Sequence, residues 1–128
     1  MRVLADTHVI LWWLANDARL SPRARELLAE GGNEVLWSAS SSFEVAVKIA
    51  AGKLDLGVPM ARFLALLYGE QGLTALAIRD EHCAELAGLP LLHRDPFDRM
   101  LVAQARVEGV PVLTADPWIA AYKVEIVW

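Results

Sequence analysis

The sequence predicts an α/β fold in which helices cover a parallel sheet. Three observations carry that expectation. Short apolar runs alternate along the whole chain with stretches whose apolar residues recur at helical spacing. Several helical stretches open on serine or aspartate followed by proline, or stop at glycine, so their ends can be placed. The chain has 128 residues, 55% of them hydrophobic and 22% charged, the size and composition of one well-filled domain. Parallel strands need crossover connections, and the helical stretches supply them.

Val3-Leu4-Ala5 reads as the first strand, followed by Asp6-Thr7 and a helix through Leu14. Ser21-Pro22 caps a second helix that Gly31-Gly32 stops. Glu34-Val35-Leu36-Trp37 is the next strand, and Ser41-Ser42-Phe43-Glu44 reads as a capping box opening a helix that ends at Gly52. Pro59 to Tyr68 is helical, Leu73 to Ile78 a strand and Arg79 to Leu89 an amphipathic helix. Asp95-Pro96-Phe97-Asp98 starts a helix running to Glu108, and Val110 to Leu113 is a strand. Asp116-Pro117 opens a short helix before a closing strand at Val124 to Val127.

The longest apolar stretch, Val9 to Ala15, stops well short of the roughly 20 residues that cross a bilayer. Met1-Arg2 leads straight into a strand with no cleavage site behind it, so a cytoplasmic protein is expected. Cys83 is the only cysteine, which excludes an internal disulfide and every cysteine-based zinc site, and it reads as a small buried hydrophobe. A net charge of −4 argues against a general nucleic-acid coat. It does not argue against a nuclease, because bound divalent cations invert the sign of a carboxylate site.

Asp6, Asp95 and Asp116 each stand where a helix N-cap would, and capping alone explains any one of them. Asp98 reads equally as a capping-box acid at the third helical position, in line with that helix's apolar face. Glu44 is harder to dismiss. Its helix is apolar almost all round, at Val45, Ala46, Val47, Ile49, Ala50 and Ala51, and should be buried; only Glu44 and Lys48 interrupt it. A carboxylate there needs water, a cation or a metal. In a parallel sheet the loops after the strands emerge on one edge, so the acids can converge if the first and fourth strands are neighbours. Carboxylates drawn together repel unless protonated or neutralised, and hard oxygen donors suit Mg²⁺ or Mn²⁺. Phosphodiester cleavage by a metal-activated water is the chemistry such a site supports.

Four segments in order resemble the PIN-domain nucleases, and within them the VapC-type ribonuclease toxins of prokaryotic toxin–antitoxin pairs. They are Leu4-Ala5-Asp6-Thr7-His8-Val9, Ser42-Phe43-Glu44-Val45-Ala46-Val47-Lys48, His93-Arg94-Asp95-Pro96-Phe97-Asp98-Arg99 with Leu101 to Ala105, and Leu113-Thr114-Ala115-Asp116. The resemblance spans essentially the whole chain and implies a single PIN domain over residues 1–128. It implies a five-stranded parallel sheet in the order 3-2-1-4-5. It assigns catalysis and metal binding to Asp6, Glu44, Asp98 and Asp116, with Asp95 as helix cap and additional metal neighbour. Thr7 and Thr114 would orient the carboxylates. Lys48, Arg94 and Arg99 are candidate phosphate contacts. The resemblance further implies a Mg²⁺- or Mn²⁺-dependent endoribonuclease, a homodimer, and a cognate antitoxin that covers the site.

Two other classes share the architecture. A phosphoacceptor signalling domain needs an acidic pair after the first strand, and an aspartate-nucleophile phosphatase needs a second aspartate two residues on; here Thr7 and His8 follow Asp6. A PIN-like binding protein without catalysis would lack some of the acids, and all four are present. Trp12-Trp13, with Leu11 and Leu14, is more apolar than one buried helix face needs, which leaves core packing and a dimer or antitoxin surface as its two readings.

Overall fold

A computed structural model describes residues 1–128. The chain runs β1 (Arg2–Ala5), α1 (Thr7–Leu14), α2 (Pro22–Ala29), β2 (Glu34–Ser38), α3 (Ala39–Ala50), α4 (Met60–Tyr68), β3 (Thr74–Leu76), α5 (Asp80–Ala87), α6 (Pro96–Glu108), β4 (Val112–Leu113), α7 (Pro117–Ala120) and β5 (Ile126–Val127). Five strands form one sheet in the order β3-β2-β1-β4-β5, and every neighbouring pair is parallel. No helix is long and apolar enough to cross a membrane.

Strand β1 lies at the centre, with Leu4 opposite Leu36 on one side and Val112 on the other. Its residues alternate between two cores, as a strand's period of two requires. Val3 and Ala5 join Val35, Trp37, Val9, Ile10, Phe63 and Leu67 on one face of the sheet. Leu4 joins Leu36, Leu101, Val102, Val112 and Ile119 on the other. Both faces are covered, so the strands read as continuous apolar runs in the sequence. Helix α6 ends on Gly109 with φ 66°, a left-handed position that favours glycine.

Four expectations change. Helix α3 starts at Ala39, two residues before the start of the expected capping box, because the Ser38 hydroxyl at the end of β2 accepts from the Ser40 amide at 2.9 Å. Ser41 therefore lies inside the helix, where its hydroxyl accepts from Thr7 at 2.8 Å. The apolar α3 is buried on one stripe only, Ser40, Ser41, Glu44 and Val45, while Phe43 is 62% exposed and Val47 is also open. Cys83 is exposed, because the residue that α5 buries is its neighbour His82. Strands β3, β4 and β5 are also shorter than their apolar runs.

Trp12 and Trp13 are half-buried. Trp12 meets Trp128 edge-on and lies under the Arg19 guanidinium, and the Trp13 indole donates to Gln71 at 2.9 Å. Their helix thus packs within this chain while Leu14 stays open.

Gln104 of α6, fully buried, clasps the end of the sheet: its carbonyl accepts from the Ser38 hydroxyl and its amide donates to the Ala77 carbonyl at 3.2 Å. Gln104→Leu keeps the volume but leaves the buried Ser38 hydroxyl without its acceptor. The expected loss is about 1–3 kcal/mol of unfolding free energy, read by urea denaturation with an unchanged m-value.

Candidate metal centre

The strand order reverses at β1, where the chain turns first toward β2 and later returns to β4. Loops leaving adjacent strands on either side of such a reversal form a crevice at the carboxyl edge of the sheet. Asp6 leaves β1 there, and Thr114 and Asp116 leave β4. Thr114 joins the two acids: its hydroxyl donates to Asp6 Oδ2 at 2.9 Å and accepts from the Asp116 amide at 3.0 Å.

The structure separates the capping acids from the rest. Asp95 Oδ1 accepts from the amides of Phe97 and Asp98, at 2.8 and 3.2 Å, and Asp116 Oδ1 accepts from the Trp118 amide at 2.8 Å. Asp6 occupies the N-cap position of α1 with extended backbone, yet its side chain caps nothing. Its Oδ1 is buried without any hydrogen-bond partner. Asp98 does not reach back to a helix amide either; its Oδ2 meets His93 Nε2 at 3.1 Å.

Glu44 stands in the second turn of α3, beyond the capping-box position expected for it, and is only 2% exposed. Lys48 holds one carboxylate oxygen at 2.8 Å, and the other is buried and unpartnered. Thr7, expected to orient a carboxylate, gives its hydroxyl to Ser41 and so ties the start of α1 to α3.

Burial, first of all, pushes the Asp6 carboxyl above its ordinary range, and the charges of Glu44 and Asp116 add to it, against the Thr114 hydrogen bond and His8. The Asp98 carboxyl is pushed up to about 7, by burial and then by Asp95, Asp6 and Asp116, with the His93 hydrogen bond opposing. Repulsion among these groups is therefore felt across the whole crevice. The tightest donor group is His93, Asp95 and Asp98, whose ligand atoms lie within 4.8 Å of one another; Asp6, Glu44 and Asp116 stand outside that group. Two orphaned buried oxygens among mutually repelling hard donors fit a divalent cation, which would both satisfy them and cancel their charge.

The expected phosphate contacts fare differently. Arg99 is committed elsewhere: its guanidinium donates to the Pro90 carbonyl and the Tyr122 hydroxyl, both at 2.9 Å, and so braces α6 against the preceding loop. Lys48 is paired with Glu44, and Arg94 is exposed. The sequence motif left His93 without a role of its own. It is half-buried, bonded to Asp98 and stacked on Trp118 with ring centroids 5.4 Å apart and planes 10° from parallel. Its place five residues before Asp98 was visible, but the stacking partner comes from a distant segment.

Comparison with known proteins follows this geometry. The PIN-domain family, described as "PIN domain", matches residues 3–124. Ribonuclease VapC22 of Mycobacterium tuberculosis (strain ATCC 25618 / H37Rv) is 30% identical over 122 residues, which cover 94% of this chain and 92% of that protein. Among solved structures, VapBC2 from Rickettsia felis bound to a promoter DNA fragment superposes with a TM-score of 0.72 at 13% identity, covering 99% of this chain and 98% of that one. VapBC-1 from nontypeable Haemophilus influenzae gives 0.69 at 16% identity, with 99% and 97% covered. FitAcB from Neisseria gonorrhoeae gives 0.63 at 18%, with 98% and 96% covered. The structural likenesses establish the fold, and the family match together with the relative's identity over nearly its full length establishes kinship: this chain belongs to the PIN-domain family.

Proposed function

We propose that this chain, as one PIN domain, is a metal-dependent endoribonuclease and the toxin of a toxin–antitoxin pair. The observation that carries the reading is the pair of buried, unpartnered carboxylate oxygens on Asp6, at the reversal of strand order, and on Glu44, whose charge bears on Asp6. The relative named a ribonuclease supports RNA as substrate, and neighbours solved as VapBC complexes support an antitoxin partner. A homodimer acting in the cytoplasm completes the proposal.

Asp6, Glu44, Asp98 and Asp116 would hold Mg²⁺ or Mn²⁺, with Asp95 beside them. The bound cation supplies Lewis acidity toward a phosphate oxygen and acidifies the water that attacks phosphorus. The side chains prepare for this in different ways. Thr114 engages one oxygen of Asp6 and leaves the other unpartnered, and Lys48 does the same for Glu44. His93 orients Asp98 by its hydrogen bond. Arg94, exposed, is the cation left to meet the RNA backbone, since Lys48 is held by Glu44 and Arg99 by its bracing role.

Asp6→Asn and Asp98→Asn should each lower Mg²⁺- or Mn²⁺-dependent RNA cleavage by at least about a hundredfold while circular dichroism stays that of the parent. Cleavage by the double variant, or cleavage that persists in chelator, would sink the mechanism.

Because the folded Asp98 carboxyl titrates near 7, well above its ordinary value of 3.8, its protonation favours the fold. That contribution is complete below the unfolded value and is lost as the pH rises through about 7. The metal-free protein should therefore melt at a higher temperature at pH 5.5 than at pH 8. Added Mg²⁺ should raise the melting temperature more at pH 8, where it meets ionised ligands. Asp98→Asn should flatten both trends in differential scanning fluorimetry.

A further inference from the structure

We propose that Trp118 is a nucleobase platform beside the metal centre, the open face of its indole stacking an unpaired base of the RNA next to the phosphate being cut. The inference rests on the ribonuclease reading and names a substrate contact within it.

Helix α7 is a single turn that buries Ile119 completely. Its packing is met by that residue, and Trp118 faces outward, 54% exposed. A tryptophan so placed adds little to the core. Its ring is nevertheless well fixed. One face lies parallel on His93, at 5.4 Å between centroids and 10° between planes. Both members of this stack are anchored to acids of the site: the Trp118 amide donates to Asp116 Oδ1 at 2.8 Å, and His93 Nε2 lies 3.1 Å from Asp98 Oδ2. The indole is thus held one side chain away from the centre, with one face backed and the remainder open to solvent.

Charge makes the same demand. The chain carries a net charge of −4, Arg99 is tied to Pro90 and Tyr122, and Lys48 is paired with Glu44. Exposed Arg94 is left to meet a phosphate, and the faces of bases add the affinity that the paired cations do not supply. Aromatic stacking supplies such affinity without requiring a particular base, and it demands a base free of its helical neighbours.

The test uses the full-length protein in Mg²⁺ and a mixed-sequence, single-stranded 2′-O-methyl oligoribonucleotide that resists cleavage, with the same backbone carrying abasic residues as its counterpart. Fluorescence anisotropy should show Trp118→Ala binding the intact strand about tenfold to a hundredfold more weakly than the parent, and Trp118→Tyr retaining most of the affinity. On the abasic strand parent and Trp118→Ala should be equal, and calorimetry should give both the same Mg²⁺ affinity. Parental affinity of Trp118→Ala for the intact strand overturns the proposal and leaves the ring to a protein partner. An equal loss on the abasic strand overturns it as well, since the effect would then lie in the backbone contacts. If the parent itself neither binds nor cuts RNA, the ribonuclease reading fails and takes the platform with it. A parent that cuts RNA beside an unimpaired Trp118→Ala refutes the platform alone.

Discussion

Burial of carboxylates that keep too few partners is the constraint around which this molecule is arranged, and repulsion among them adds to it. Asp6 and Asp98 both titrate above their ordinary range because burial removes water and neighbouring acids supply more negative charge. Left alone, such a cluster would protonate or push its members outward. The protein holds them in place with rigid elements that bury their backs in two cores, one on each face of the sheet. Stability contributed elsewhere in the fold maintains a charge arrangement suited to a cation.

The bonds that do this holding are short-range in space and long-range in sequence. Thr114 reaches Asp6 across 108 positions, and Thr7 reaches Ser41 across 34. Gln104 reaches Ser38 across 66 and so fixes the end of β2 from which the helix bearing Glu44 departs. None of these contacts involves the chemistry directly. Each restricts where a carboxylate can sit, and together they set which oxygens are engaged and which stay free.

The periphery of the centre carries a second kind of organisation. His93 bridges an acid and an aromatic ring, so electrostatic and stacking contacts share one side chain. Cations near the centre are mostly engaged: Lys48 by Glu44, Arg99 by a carbonyl and a hydroxyl. Arg94, beside His93, stays exposed.

Much of this was legible in the sequence, because it depends on local order. Alternating strand and helix patterns fixed the fold class, Pro and Gly positions fixed most helix ends, and four motifs in order pointed to the family. The acids could be named one by one, but their roles could not be separated, since an aspartate at a helix start looks the same whether it caps or binds. Only the tertiary structure decided that Asp95 and Asp116 cap while Asp6 does not, because that depends on Thr114 arriving from the neighbouring strand. It likewise moved the start of α3 to Ala39, opened Phe43 to solvent, tied Arg99 to the scaffold and brought His93 onto Trp118. Local propensity reads the backbone; which polar atom remains unpaired is settled by partners that the chain delivers from far away.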